Sequence, residues 1–233
     1  MKLNGIVGKG SGKLGASVWS ISGGEQVVRA YNPQVTNPNT DAQVAQRAKL
    51  KLMSQLAAAL AAGLAFKKNG LISARNQFVS KNIGLATYAN GEASVDLNEL
   101  QLTPGSAALQ GLITARTDEA VITVSIPGSG AIGYDRVVYV CAEKTTADKL
   151  NIVKIQTAEA GQNNDFPATL NVTANECVVY AYGVKFGSAK AKAAYENYEA
   201  AAQDADAVLS VNMADIFANS TFSATVGATV AEH

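Results

Sequence analysis

The apolar residues of this chain change period near residue 97, and that change bounds the folds open to it. Upstream, Val44, Ala48, Leu52, Leu56 and Leu60 recur at i+4 steps between Thr40 and about Ala62, the spacing of a helical stripe. Thr40 and Gln43 have capping-box spacing, with Asp41 in the first turn, so the helix is expected to start there. Its Ala-rich second half is apolar almost all round, which predicts a helix covered on most sides. A second helix is expected over 71–81, with Gly84 as its stop. Downstream, short runs take over. Residues 121–126 alternate, placing Ile122, Val124 and Ile126 on one face, and 136–143 and 177–185 are β-branched runs. Residues 151–156 and 168–173 are further strand candidates. Short strands separated by turn signals such as Pro127-Gly-Ser-Gly130 predict an antiparallel sandwich. The fold class expected is therefore α+β: an N-terminal β-hairpin plus helices, followed by an antiparallel immunoglobulin-like β-sandwich. Two parts follow from this, a basic docking region over 1–84 and an acidic sandwich over 97–233. Residues 187–206 read as a helix or a long loop, and 208–212 and 221–230 as closing strands or an exchanged arm.

Ahead of the first helix lies a glycine-dense segment, Gly5, Gly8, Gly10, Gly12 and Gly15, with Lys9 and Lys13 between them. Such a stretch buries little by itself and reads as an arm that a neighbour must hold. A hairpin follows: 14–22, with Val18, Trp19 and Ile21, turns at Gly23-Gly24 and returns over 25–31 through Val27 and Val28. A lone hairpin is marginal in water, so this one must dock on something. Pro33 and Pro38 then keep the chain extended and bar a helix before Thr40.

Charge is divided along the chain as well. Residues 1–81 carry eleven Lys and Arg against two Asp and Glu, a net +9, whereas residues 82–233 carry eight against seventeen, a net −9. Opposite fields on separate segments favour head-to-tail association, or a basic part facing a polyanion while an acidic part faces outward. Only 16% of residues are charged, against about 25% in an average domain, so copies of the chain repel one another little.

Catalytic chemistry finds few materials. The only histidine is His233, which leaves no His base, Ser-His-Asp triad or His-containing metal site to build. The acids are scattered singly, and no calcium-loop pattern is present. No metal, no cofactor and no enzymatic activity are expected. Gly10-Ser-Gly12-Lys-Leu-Gly15 has dinucleotide-loop spacing, but no strand leads into it and a strand rather than a helix follows. It reads as the arm entering the hairpin. Leu14 stands where a P-loop needs Ser or Thr. Cys141 and Cys177 fall in strand-like runs and read as buried thiols of a reducing compartment. The leading residues show no apolar signal core, and the apolar stretch 52–66 is shorter than the ~20 residues of a membrane span. A protein made in the cytoplasm, with no membrane partner, is expected.

The run Gly12-Lys-Leu-Gly-Ala-Ser-Val-Trp19, then Gln26-Val-Val-Arg29, Asn32-Pro33, Asn37-Pro-Asn-Thr40 and Gln43-Val-Ala-Gln-Arg-Ala-Lys49, resembles an uncharacterised family from Bacteroidetes genomes and their phages and prophages. In that family a Gly-Lys-Leu-Gly hairpin leads through an Asn-Pro-x-Thr segment into a Gln-x-x-Gln-Arg-Ala-Lys helix. The resemblance covers residues 10–80 and brings no enzymatic role and no functional residues. It implies a part of a virion. Joined to the charge division, it sets the expectation of a phage virion structural protein, located in the virion after synthesis in the bacterial host. Its partners would be other copies of itself or other virion proteins, met through the basic N-terminal region. The residues expected at that contact are Lys9, Lys13, Trp19, Val27, Arg29, Arg47, Lys51, Leu52, Leu56, Leu60, Lys67 and Lys68. Lys67 and Lys68 also stand where they would complement a helix C-terminal dipole. Two other readings stay open. One is an accessory protein laying its basic region on packaged DNA, with cations on phosphate and aromatics on bases. The other is a virion-surface adhesin or glycan-binding module on the sandwich.

Overall fold

A computed structural model describes residues 10–22, 24–34, 39–118, 120–146, 149–161, 164–173, 176–201, 213–217 and 219–230. The chain divides into two units, Met1–Asp41 and Ala42–His233. In the first, β1 (Gly12–Leu14), β2 (Ser17–Ser22) and β3 (Glu25–Ala30) form an antiparallel sheet in that order. The expected hairpin is β2–β3. The added strand β1 comes from the glycine arm. Gln26, the buried polar residue of this sheet, ties it together: its Oε1 accepts from the Gly10 amide at 2.8 Å and its Nε2 donates to the Ser20 carbonyl at 3.0 Å.

The second unit opens with α1 (Asp41–Ala59), a 3₁₀ turn at Ala61–Gly63, and α2 (Ala74–Asn82). The second helix starts three residues later than its apolar pattern suggests because Ser73 caps it, its hydroxyl accepting from the Asn76 amide at 3.2 Å. A hairpin follows, β4 (Thr87–Ala89) and β5 (Glu92–Ser94), joined by Asn90-Gly91 at φ +54° and +87°. Positive φ at both central residues is the requirement of the tight hairpin turn that Asn-Gly meets best. Next come β6 (Ile113–Asp118), β7 (Val121–Ile126), β8 (Arg136–Thr146), β9 (Lys149–Glu159), β10 (Phe166–Asn171) and β11 (Cys177–Phe186). The expectation left open at 187–206 is a helix, α3 (Ala189–Ala201). A short α4 (Met213–Ile216) precedes β12 (Ser220–Phe222) and β13 (Val226–Val230). Residues 208–212 lie outside the described residues. The 221–230 stretch closes the fold within its own chain, since β12 and β13 both pair with β11.

All pairings between described strands are antiparallel. One sheet has the order β10-β7-β6, and a five-stranded one runs β12-β11-β8-β9 with β13 also on β11. The class expected, mixed α+β with antiparallel sheets, is the class found. What covers the large sheet was not expected. Along β8 and β11, Val137, Tyr139, Cys141, Val179 and Ala181 enter a core shared with Ile122, Val124, Ile126, Phe166 and Leu170 of β7 and β10. The residues between them, Val138, Val140, Ala142, Val178, Tyr180 and Tyr182, enter a second core with Leu52, Met53, Leu56 and Leu60 of α1 and Phe78 of α2. Neighbouring residues of a strand face opposite sides, so a run apolar at every position needs two covers.

That requirement corrects the domain expectation. The structure divides the chain at residue 41 and not between 84 and 97: both helices belong to the second unit, because they supply the second cover. The Tyr182 hydroxyl donates to the Gly63 carbonyl at 3.2 Å, pinning the end of the α1 segment to the sheet.

Candidate functional site

In the first unit, pairing sorts side chains onto two faces, because directly opposed residues of antiparallel strands point the same way. Gly12 opposes Trp19, which opposes Val28, and Leu14 opposes Ser17, which opposes Ala30. Leu14, Trp19, Ile21 and Val28 therefore share one face. Lys13 opposes Val18, which opposes Arg29, and Val27 lies on that same second face. The Lys13 ammonium stands 3.7 Å from the centre of the Tyr31 ring, a cation–π contact worth roughly 0.5–1 kcal/mol at an exposed position. One side thus gathers most of the apolar residues, while the other carries Lys13 and Arg29 together with Val18, Val27 and the acid Glu25. On the apolar side Leu14 is 69% and Ile21 49% exposed, while Trp19 and Val28 are half-buried and the Trp19 indole N–H is closed off from solvent without a hydrogen-bond partner.

The structure brings together only part of the expected contact. Lys13, Trp19, Val27 and Arg29 lie on this one sheet; Lys9 lies outside the described residues. Arg47 and Lys51 are exposed on α1. Leu52, Leu56 and Leu60 are 5%, 1% and 0% exposed and offer no surface to a partner, because the five-stranded sheet uses them. Their place in the expected contact is withdrawn. So is the charge division as an orienting device between parts. The first unit carries four Lys and Arg against two acids, a net +2, and the second fifteen against seventeen, a net −2. Seven of the eleven early cations lie in the second unit, five of them on α1 and α2, in the same unit as all the late acids.

Lys67 and Lys68 do not cap a helix. They follow the 3₁₀ turn and line a pocket of about 550 Å³ with Gln77, Pro104, Gly105 and Phe222. Reading the sequence missed this pocket, and it offered the Tyr31 ring only as an aromatic for nucleic-acid bases, not as the cation–π partner of Lys13. The ring follows a strand and shows its role only once β1 is paired; the pocket is assembled from segments more than a hundred residues apart.

Among the described residues no group of three His, Cys, Asp or Glu could hold a metal ion, and no helix is long and apolar enough to cross a membrane. Cys141 and Cys177 form no disulfide and are fully buried. A hydrogen bond to Cys177, together with burial, pushes the Cys141 thiol well up, away from the thiolate that reactivity needs. Comparison of the chain with protein-family models, curated proteins and solved structures gives no match.

Proposed function

We propose that this chain is an assembly protein, a structural component of a phage virion, and that it docks through the three-stranded sheet of its first unit. The observation that carries the reading is the apolar face of Leu14, Trp19, Ile21 and Val28, with Leu14 and Ile21 exposed, on a sheet of fifteen strand residues. So small a sheet gains little by folding alone, and three strands become stable chiefly when a hydrophobic face is packed away. The partner is a second copy or a neighbouring virion protein, met chiefly through the exposed Leu14 and Ile21 side chains. The cationic side, Lys13, Arg29 and Tyr31, would set orientation at the rim of the contact rather than supply its energy. In the same reading the sheets sharing the core of Ile122 and Tyr139 form an immunoglobulin-like sandwich that presents the rest of the molecule outward.

Sedimentation of the full chain at low and high salt tests this, with a search for the protein in purified particles. The native chain should self-associate or co-purify with virions, and the Leu14→Ser/Ile21→Ser double variant should do neither while keeping its far-ultraviolet circular dichroism. A chain that stays monomeric at every concentration and is absent from particles would overturn the reading.

The Lys13, Arg29 and Tyr31 row favours one second reading, contact with single-stranded or packaged nucleic acid. Binding that falls steeply with salt and is lost in Lys13→Gln/Arg29→Gln would establish it.

A further inference from the structure

We propose that the pocket between the Lys67 segment and β12 binds a small organic anion, a carboxylate or phosphate group carried on an apolar body. This inference is independent of the assembly reading. The lining includes Lys67, Lys68, Gln77 and Thr221, and among the described residues it contains no Asp or Glu, although the unit around it holds seventeen acids. A third cation stands at its margin, where the Lys81 Nζ approaches the Gly105 carbonyl at 3.4 Å. Phe222 and Ala65 give the apolar contact, and the volume falls within the range of small-molecule sites.

The walls are held in place before any ligand arrives. Asn82, Thr103, Ser223 and Thr225 are buried polar residues, and burying polar groups is unfavourable unless each finds a partner. Here Asn82 and Thr225 bond to the backbone of the loop that forms one wall, and Thr103 ties that loop to the Ser223 backbone. Asn82 Nδ2 donates to the Gln101 carbonyl at 2.9 Å, and its Oδ1 accepts from the Gln101 amide at 2.7 Å. The Leu102 amide donates to the Thr225 hydroxyl at 2.8 Å, and the Thr103 hydroxyl donates to the Ser223 carbonyl. Gly105 then passes so close to β12 that a Cβ there would lie 2.1 Å from the Phe222 carbonyl oxygen. On the facing wall the Ala65 amide donates to the Leu102 carbonyl at 2.9 Å, and Gln77 Nε2 donates to the Lys67 carbonyl. Four separate segments are thus fixed around one cationic hollow. A site that needs no rearrangement loses less on binding.

The experiment is titration of the full ¹⁵N-labelled chain with phenyl phosphate and with benzoate, using benzyl alcohol as the neutral analogue. Saturable shifts at Lys67, Gln77 and Thr221 with either anion, and none with benzyl alcohol, support the site; the stronger arm identifies the preferred group. Lys67→Gln/Lys68→Gln changes two exposed residues and leaves the core alone. It should weaken binding by about 2- to 25-fold, the loss of two partly screened ion pairs. No saturation by about 20 mM, shifts centred elsewhere, or equal binding by the variant would each overturn the proposal.

Discussion

Truncating Leu56 to alanine separates a helix that belongs to the core from one that waits for a partner. Leu56 is 1% exposed and shares a cluster with Val138, Val140 and Tyr180 of the large sheet. Removing a buried leucine side chain costs the transfer of its methyl groups from water plus the unfilled space left behind, about 3 kcal/mol within a range of roughly 2–5. Alanine's better helix propensity returns only about 0.2 kcal/mol. On an exposed docking face the same change would stay within about 0.5 kcal/mol. For a unit of this size each kcal/mol moves the melting temperature by about 2–4 °C, so Leu56→Ala should lower it by about 6–12 °C. Urea unfolding followed by circular dichroism is the assay. Fluorescence would mislead, because the only tryptophan, Trp19, lies in the first unit. Lys51→Ala, one turn away and exposed, serves as control and should be near neutral. A Leu56→Ala midpoint indistinguishable from that of the control would refute the assignment of α1 to the core.

Ser223→Ala should destabilise by about 1–3 kcal/mol in the same assay, because the Ser223 hydroxyl accepts from the buried Gly183 amide at 2.7 Å and donates to the Ala224 carbonyl; an unchanged midpoint would contradict it. Burial pushes the hydroxyls of Tyr139, Tyr180 and Tyr182 above their ordinary value. Above pH ~10 the unfolded chain releases these protons and the native one keeps them, so stability should fall as pH rises, by up to about 1.4 kcal/mol per unit for each tyrosine. Unfolding midpoints at pH 9, 10 and 11 measure this, and a flat profile would be decisive against it. Cys141 and Cys177, both at 0% exposure, should resist a thiol reagent in the native state and react together in denaturant; prompt native labelling of either would show that this core opens.

Much of the strand map was legible because β-branched runs carry it locally. Residues 121–126 form β7 as read, and the 136–143, 151–156 and 177–185 expectations grew by one to five residues at their ends as pairing extended them. β6 was missed: the face it shares with Ile122 and Val124 carries Thr114 and Arg116, so the strand shows no apolar alternation toward the core. The Asn90-Gly91 hairpin was missed despite a strong turn signal, because three-residue strands show no period. The deeper error concerned the helices. The Ala-rich second half of α1 predicted a helix covered on most sides, and the non-alternating strands predicted a sheet covered on both. Each is the other's cover, yet one run was assigned to an assembly and the other to a two-faced sandwich. Periodicity reveals that a surface must be hidden without revealing by what. The pocket left no local signal, since Lys67, Gln77, Gly105 and Phe222 meet only in three dimensions.

A strand whose two sides are equally greasy loses the usual guard against slippage. Shifting β8 by one residue against its neighbours would exchange Val137, Tyr139 and Cys141 for Val138, Val140 and Ala142, and neither core would receive a charge. Alignment must then be held from the ends. Arg136 is paired in ladder and in charge with Glu159 at one end of β8, and Lys144 meets Glu176 at 2.9 Å near the other. Between them, irregularities at Cys141/Ala142 and Lys144/Thr146 fit only one pairing with β9. These few polar clasps, more than the apolar bulk they bracket, keep the sheet from settling one notch out of place.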